Sequence, residues 1–343
     1  MSEPHSLSFG KLKSGDAYDF SYDVRMQNIA FFGKKGSGKD SHLLPMIANE
    51  QLEKENEGAL FVINTQKLAW NLYALAKKYH REVIFLSPSA HEGMKELINL
   101  GILNSDTITD KLVDFSKAMK RKAIIIINAE PYKYQERAIE LTGSILMRLQ
   151  MDLHLNTHDT PFFVYIDDGD TYLPYAKDLL TYGEQFGVGS VMFFHSREYM
   201  KSHAPLLSYF IETHIRTTIL MNGLVYEDAL YFNSRFFGSA GDESFILKRN
   251  PNELIAESTK DGVLDVQHTF VRFLSESLYR EIEEEATQLR EKNIIPSSYS
   301  YSIAKKEELP KTVKRTKPRK KVSKPKSIPT GNKIFITEDD LFN

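Results

Sequence analysis

Three glycines and a lysine follow a short apolar run with a spacing that suits phosphate chemistry. In Asn28-Ile-Ala-Phe-Phe-Gly-Lys-Lys-Gly-Ser-Gly-Lys-Asp-Ser-His, four residues separate Gly33 from Gly38-Lys39, the pattern of a phosphate-binding P-loop. Gly33, Gly36 and Gly38 permit backbone angles that aim successive N–H groups inward, forming an anion nest at a helix N-terminus. Lys39 adds a cation for β and γ phosphates, so Gly36, Ser37, Gly38 and Lys39 are the expected phosphate holders. Asp40 stands where a Ser or Thr hydroxyl normally contacts Mg²⁺. Its carboxylate could bind the metal as a hard oxygen ligand, or repel the triphosphate, with Ser41 as a substitute hydroxyl.

Phosphoryl chemistry also needs carboxylates opposite such a loop, for Mg²⁺ and for the attacking water. Phe162-Phe-Val-Tyr-Ile-Asp-Asp-Gly-Asp supplies them, as an apolar strand ending in Asp167, Asp168 and Asp170. Asp167 at the tip is the expected Mg²⁺ partner through water. Asp168 takes the place of the base that orients water, with a shorter arm than the usual Glu.

These residues need a scaffold. From residue 27 to about 235, short apolar runs alternate with longer helical patterns, as βαβ units around a mostly parallel sheet require. The expected strands are Asn28–Phe32, Ala59–Asn64, Glu82–Leu86, Ala123–Ile127, Phe162–Ile166, Ser190–Phe194 and His214–Leu220. The expected helices include Leu68–Tyr79, Gln135–Leu155 and Tyr172–Phe186. Apolar runs without alternation imply strands buried on both faces, hence a three-layer α/β sandwich of the RecA-like P-loop NTPase type. Beyond Gly238, Glu243–Leu247 and Asp265–Phe273 suggest edge strands. Leu274, Leu278, Ile282 and Leu289 mark a helix that ends before Pro296. Its acidic run, Glu281 to Glu285, fits a solvated face better than a metal site.

Composition narrows the class. The 343 residues are 41% apolar and 26% charged, as in soluble globular chains. The absence of cysteine excludes disulfides, thiolate zinc sites and cysteine nucleophiles. No signal pattern or bilayer-length apolar stretch is present, so a cytoplasmic protein is expected, recruited to a membrane only through partners. The net charge of −2 hides a division: Lys311 to Lys326 holds nine Lys/Arg and no acid, leaving 35 basic against 46 acidic residues elsewhere, about −11. The expected layout is an N-terminal segment (1–26), a P-loop ATPase domain (27–238), a completing region (239–302) and a disordered basic tail (303–343). A tethered polycation binds DNA through phosphates without reading sequence. The acidic-aromatic end, Ile334 to Asn343, could dock on a partner or fold back on the basic run.

Residues 27 to 238 resemble the TraG/TraD-type conjugative coupling ATPases of the FtsK/HerA superfamily of DNA pumps. The loop followed by Leu43-Leu-Pro-Met-Ile is similar to the family's loop and Pro-containing apolar run. That family often lacks the hydroxyl after its Lys. Gly58-Ala-Leu-Phe-Val-Ile-Asn-Thr-Gln-Lys67, Leu72 to Tyr79 and Val83-Ile-Phe-Leu-Ser-Pro88 resemble its second strand, Asp-Pro-Lys turn, helix and third strand, with Asn64 replacing the Asp. Leu179 to Ser196 is similar to its next helix and strand, with Glu184 in place of Arg and His195 in place of Gln.

The resemblance implies ATP and Mg²⁺ as ligands, a homo-oligomeric ring, by analogy a hexamer, and DNA translocation in conjugation. Relaxase or secretion-channel proteins would be its partners, and pore loops and tail would touch the DNA. It places His195 where a polar group senses the γ-phosphate. Glu184 has the wrong sign for a cationic finger, which leaves Arg197, Arg216 and Arg235 as candidates. The family's membrane helices and inserted helical domain have no counterpart, so a viral or plasmid DNA-packaging motor is an alternative. A second is a nucleotide-binding adaptor with a degenerate site, favoured by Asp40, Asn64, Glu184 and His195. A small-molecule kinase is a third, without an evident substrate lid.

Overall fold

The sheet that carries the phosphate loop has eleven strands in the order β2-β1-β11-β10-β9-β3-β8-β7-β4-β6-β5. The structure is a computed structural model that describes residues 5–86, 113–134, 136–156, 159–238, 246–247, 249–250, 252–260 and 263–292. The strands are β1 (Leu7–Leu12), β2 (Ala17–Phe20), β3 (Asn28–Phe32), β4 (Gly58–Ile63), β5 (Val83–Leu86), β6 (Ile124–Asn128), β7 (Phe162–Asp167), β8 (Val188–Phe194), β9 (Thr217–Leu220), β10 (Glu253–Lys260) and β11 (Val263–Val271). The block from β9 to β5 is parallel, whereas β10, β11, β1 and β2 extend it antiparallel.

Burial on both faces explains the unbroken apolar runs. Along β3, Ala30 and Phe32 join one core layer while Ile29 and Phe31 join the other, the period-two alternation of a pleated strand. The first layer is closed by α4 (Phe115–Lys120), α6 (Glu136–Leu155), α8 (Lys177–Tyr182), α9 (Arg197–His203), α10 (Pro205–His214) and α11 (Tyr226–Phe237), with the short α5 (Pro131–Tyr134) leading into α6. The second is closed by α2 (Leu44–Leu52), α3 (Gln66–Lys78) and the C-terminal α12 (Glu276–Glu291). The expected three-layer α/β sandwich is the observed one.

Helix α12 docks on α3 through Ile282, Ala286 and Leu289, and its acidic residues pair with lysines: Glu281 with Lys78 at 2.8 Å, Glu285 with Lys77 at 3.6 Å, and Glu283 with Lys67. Glu281 to Glu285 is therefore an ion-paired helix face.

Local chemistry redraws four elements. The strand expected from His214 begins only at Thr217, because Pro205 at the first turn starts α10, which runs through His214. The single helix expected over Tyr172–Phe186 is broken: α7 (Gly169–Tyr172) passes into a tight turn at Leu173–Tyr175 around Pro174, then α8, then another tight turn at Gly183–Phe186. Ile246 and Leu247 are helical rather than extended, and Glu243 lies outside the described residues. The N-terminal segment contributes β1, β2 and α1 (Tyr22–Met26), which short alternating sequence did not announce. Pro296 and the tail (303–343) lie outside the described residues. Among the described residues, no helix is long and apolar enough to cross a membrane.

A buried ionic cluster ties the N-terminal segment to this sheet. Arg25, at the end of α1, is 2% exposed and Glu57 is 0% exposed. The Arg25 guanidinium donates to both Glu57 oxygens (3.0 and 2.7 Å), to Gln51 Oε1 (2.6 Å) and to the His5 carbonyl. It lies 3.8 Å from the Phe163 ring centroid. Tyr165 O–H also donates to Gln51 Oε1 at 2.7 Å, and its burial pushes the phenol pKa up to about 12.

Candidate functional site

The phosphate loop leaves β3 with both its ends anchored. The Gly33 N–H donates to the Phe194 carbonyl at the end of β8 (3.0 Å), and the Ser37 N–H to the Lys34 carbonyl (3.0 Å). Gly36 and Gly38 have φ of 88° and 89°, the left-handed region in which a side chain is strained. The next turn, Lys39–Leu43, is π-helical: the Leu44 N–H reaches back to the Lys39 carbonyl. Such wide turns gather at functional sites.

Two of these glycines are needed for different reasons. A Cβ on Gly33 would lie 2.7 Å from Met221 Cβ and 3.0 Å from Ser37 Oγ, whereas one on Gly36 would meet nothing within 4 Å. Gly33→Ala is therefore expected to cost about 1–3 kcal/mol through overpacking, and Gly36→Ala about 1–2 kcal/mol through backbone strain alone. Urea midpoints of the two variants check this ordering, and adding nucleotide should restore neither.

Opposite the loop, the structure brings the basic and acidic elements together. Lys39 Nζ lies 2.8 Å from Asp167 Oδ1 at the tip of β7 and 3.7 Å from Asp40 Oδ1. Strand β8 lies between β3 and β7, so Lys39 spans it. Burial works against the Lys39 charge, but Asp167 and then Asp40 outweigh it and hold the ammonium above its usual range. Burial, followed by Asp167, raises the carboxyl of Asp40. Ser41 is exposed, the Asp40 side chain is half open to solvent although the protein packed around it desolvates its carboxyl, and Ser37 is buried with Oγ 3.8 Å from Met221 Sδ.

Asp168 follows Asp167 in the left-handed conformation, φ 74° and ψ 61°, which for a non-glycine residue is uncommon and points to function. Its Oδ2 accepts hydrogen bonds from Asn64 Nδ2 and Thr171 Oγ1, both at 3.0 Å. Asn64 Oδ1 accepts in turn from Tyr172 O–H at 3.1 Å. Burial raises the Asp168 carboxyl. Asn64, read from sequence as a departure from the family's Asp, is thus the partner of the candidate base. Its position at the end of β4, next to β7, was the available signal.

His195, just past β8, joins the same corner. Asp170 Oδ2 accepts from the His195 backbone N–H at 2.8 Å and faces Nδ1 at 2.9 Å, with Asp168 Oδ1 3.6 Å from Nδ1. One ligand atom each from Asp168, Asp170 and His195 lie within 4.8 Å of one another. The hydrogen bond between His195 and Asp170 already occupies Nδ1 and Oδ2. For Mg²⁺ the better donors are the carboxylates of Asp167 and Asp40, hard oxygens that flank the Lys39 ammonium.

The arginine candidates are elsewhere. Arg197 donates Nε–H to Glu212 Oε1 at 2.8 Å and stacks 3.5 Å from the Tyr231 ring centroid. Arg235 pairs with buried Glu257 at 2.9 Å. Arg216 donates its N–H to the Asn28 carbonyl, at the end of β3 opposite the loop. Glu184, ahead of β8, also lies at that far edge. Sequence reasoning missed Arg249, which donates to the Leu220 and Met221 carbonyls at 2.7 and 2.6 Å beside the loop. Burial pulls its guanidinium down to about 10.

No protein-family model and no curated protein sequence matches the chain. Solved structures do. The bacterial conjugative coupling protein TrwB, in a form lacking its first 70 residues, aligns over 78% of this chain and 89% of its own, with 12% identity and a TM-score of 0.50. VirB4 of Thermoanaerobacter pseudethanolicus aligns over 79% and 97%, with 9% identity and a TM-score of 0.50. The type VII secretion ATPase EccC of Thermomonospora curvata aligns over 80% of this chain, which spans 27% of the EccC cytoplasmic domain, with 9% identity and a TM-score of 0.47. The chain has the P-loop NTPase fold, in the form that these coupling-protein and VirB4 structures share.

Proposed function

We propose that the chain is a P-loop ATPase that hydrolyses ATP·Mg²⁺ to move DNA in conjugation or type IV secretion, acting as a ring of identical subunits. One observation carries this reading: the Lys39 ammonium and the Asp167 carboxylate meet across β8 at the sheet edge where the glycine loop ends. That is the arrangement a triphosphate with a counter-metal requires. The similarity in fold to a conjugative coupling protein and to VirB4 supports the class of motor.

Main-chain N–H groups from Gly36 to Lys39 cradle the β and γ phosphates, and Lys39 turns from Asp167 to the γ-phosphate. Asp167 and Asp40 are the residues that would hold Mg²⁺, which neutralises phosphate charge when bound. Asp168, oriented by Asn64 and Thr171, directs the attacking water. Arg197 and Arg235 are held by carboxylates within their own subunit, so the transition-state cation comes from a neighbouring subunit or from another group of this site. The direct test is phosphate release with and without DNA under Mg²⁺, for wild type and Asp168→Asn. DNA-stimulated release that falls about 100-fold or more in the variant supports the reading. Unchanged release in the variant defeats it.

The nucleotide-binding adaptor is the second reading, because the Asp40 carboxylate stands 3.7 Å from the ammonium meant for phosphate. Tight nucleotide binding without turnover in the same assay would favour it.

The nine Lys/Arg of residues 311–326 are the proposed non-specific DNA contact. With six to ten phosphate contacts, affinity for duplex DNA should fall about 10³- to 10⁵-fold between roughly 50 and 200 mM salt. Removing residues 303–343 should flatten that slope. A slope unchanged by the truncation would assign DNA binding to the body instead.

A further inference from the structure

The corner beside Lys39 contains a histidine held more tightly than an ordinary sheet-end residue. Gly169, directly after the left-handed Asp168, packs so closely on β8 that a Cβ there would lie 2.6 Å from Phe194 Cε1. That close approach brings the first turn of α7 onto the end of β8, and Asp170 onto His195. Asp170 Oδ2 then receives both the His195 main-chain N–H and its ring nitrogen Nδ1, at 2.8 and 2.9 Å. An ionised carboxylate only accepts, so Nδ1 carries the hydrogen and Nε2 is the nitrogen left for a ligand. The Asp170 side chain is 9% exposed, and its other oxygen, Oδ1, is buried without a hydrogen-bond partner. A carboxylate so placed is best balanced by a cationic ring.

Position adds a second argument. His195 follows Phe194, whose carbonyl receives the Gly33 N–H that starts the phosphate loop. Two residues earlier, Phe193 is in register with Asp167. The ring is 38% exposed. The charged groups around it are Asp170 and Asp168 from the β7–α7 turn, and Lys39 and Asp40 from the loop. The hydrogen bond to Asp170 is the main cause that raises the His195 pKa, Asp168 acts in the same sense, and burial and Lys39 oppose them.

We propose that Asp170 is a positioning residue that holds His195 with Nε2–H aimed at the γ-phosphate, so that a locked imidazolium serves as a second cation beside Lys39. The proposal deepens the ATPase reading and rests on it. No proton leaves the ring: Nε2–H donates to a γ-phosphate oxygen, and Nδ1–H stays on Asp170. This would supply within one subunit part of the positive charge that Arg197 and Arg235 do not.

The test uses the full chain labelled with ¹⁵N-histidine, with His195→Gln to assign the ring signals and the non-hydrolysable analogue AMP-PNP with Mg²⁺ as probe. In wild type the apo spectrum should show Nδ1–H, and the analogue should shift His195 Nε2. In Asp170→Asn the ring should titrate at lower pH and the Nε2 response should vanish while the analogue still binds. Carboxylates that orient metal-ligating histidines typically matter about 10- to 100-fold, and with the same orienting role here kcat should fall by about that factor. KM should change little, and the alkaline limb of the kcat–pH profile should move to lower pH. An analogue that binds wild type without moving Nε2, or a variant with an unaltered pH profile, overturns the role of Asp170 and leaves the ATPase reading standing. Failure of wild type to bind the analogue overturns both.

Discussion

Replacing Lys39 with alanine is expected to lower kcat/KM for ATP about 10²- to 10³-fold, the usual loss when one preorganised donor to a developing oxyanion is removed. A second effect should appear without nucleotide. Asp167 is 2% exposed, and Lys39 Nζ stands 2.8 Å from its Oδ1. Removing the ammonium strands a buried carboxylate, which typically costs about 3–5 kcal/mol. The pH range follows from the Lys39 shift. A lysine whose folded pKa lies above its unfolded value contributes fully below the unfolded value and loses that contribution as pH rises through the folded one. The stability loss should therefore be full at neutral pH and fade only in strong alkali. Adding Asp167→Asn to Lys39→Ala separates the two effects. Urea midpoints should recover most of the lost stability in the double variant, whereas phosphate release should not return. Recovery of activity would show that Lys39 serves the fold alone.

The largest purely structural effect is expected at Glu57. Glu57→Ala leaves the Arg25 guanidinium, 2% exposed, without its carboxylate, and should destabilise the protein by about 3–5 kcal/mol. The loss should exceed that of cutting an exposed pair such as Lys78–Glu281, where the expected figure is about 0–1 kcal/mol. Replacing both Arg25 and Glu57 by apolar residues should cost less than Glu57→Ala, because no unpaired charge remains. Denaturant unfolding followed by tryptophan fluorescence reads all three, since Trp70 is buried in the same core layer. A loss below that of the surface pair would show that water reaches the Arg25 cluster.

The central strands and the phosphate loop were legible because their signals are local. Unbroken apolar runs such as Ala123–Ile127, and glycines placed for backbone angles, owe nothing to distant sequence. Asp167 could likewise be placed at a strand tip. What sequence could not show is which polar groups the fold brings together. Asn64 and Asp168 lie 104 residues apart, and Asp170 and His195 lie 25 apart. Both pairs exist because β4, β7 and β8 end at one edge. Short N-terminal strands also escaped notice: β2 is mostly solvent-facing, so its composition carries little burial signal. The partners of Arg197 and Arg235, Glu212 and Glu257, were hidden for a related reason, since both pairs form only in three dimensions.

The pairing of Leu12 with Thr269 has a consequence for how the molecule is made. Strand β1 has β11 as its inner neighbour, so it must wait through some 250 residues of synthesis at about 5–20 residues per second. Until β11 emerges, the hairpin of β1 and β2 has an unsatisfied edge, and the rest of the sheet ends at β10, the partner of β9, with another. Nascent chains stopped before residue 263 should therefore engage chaperones and remain protease-sensitive at their N-terminus, and the arrival of β11 closes both edges together.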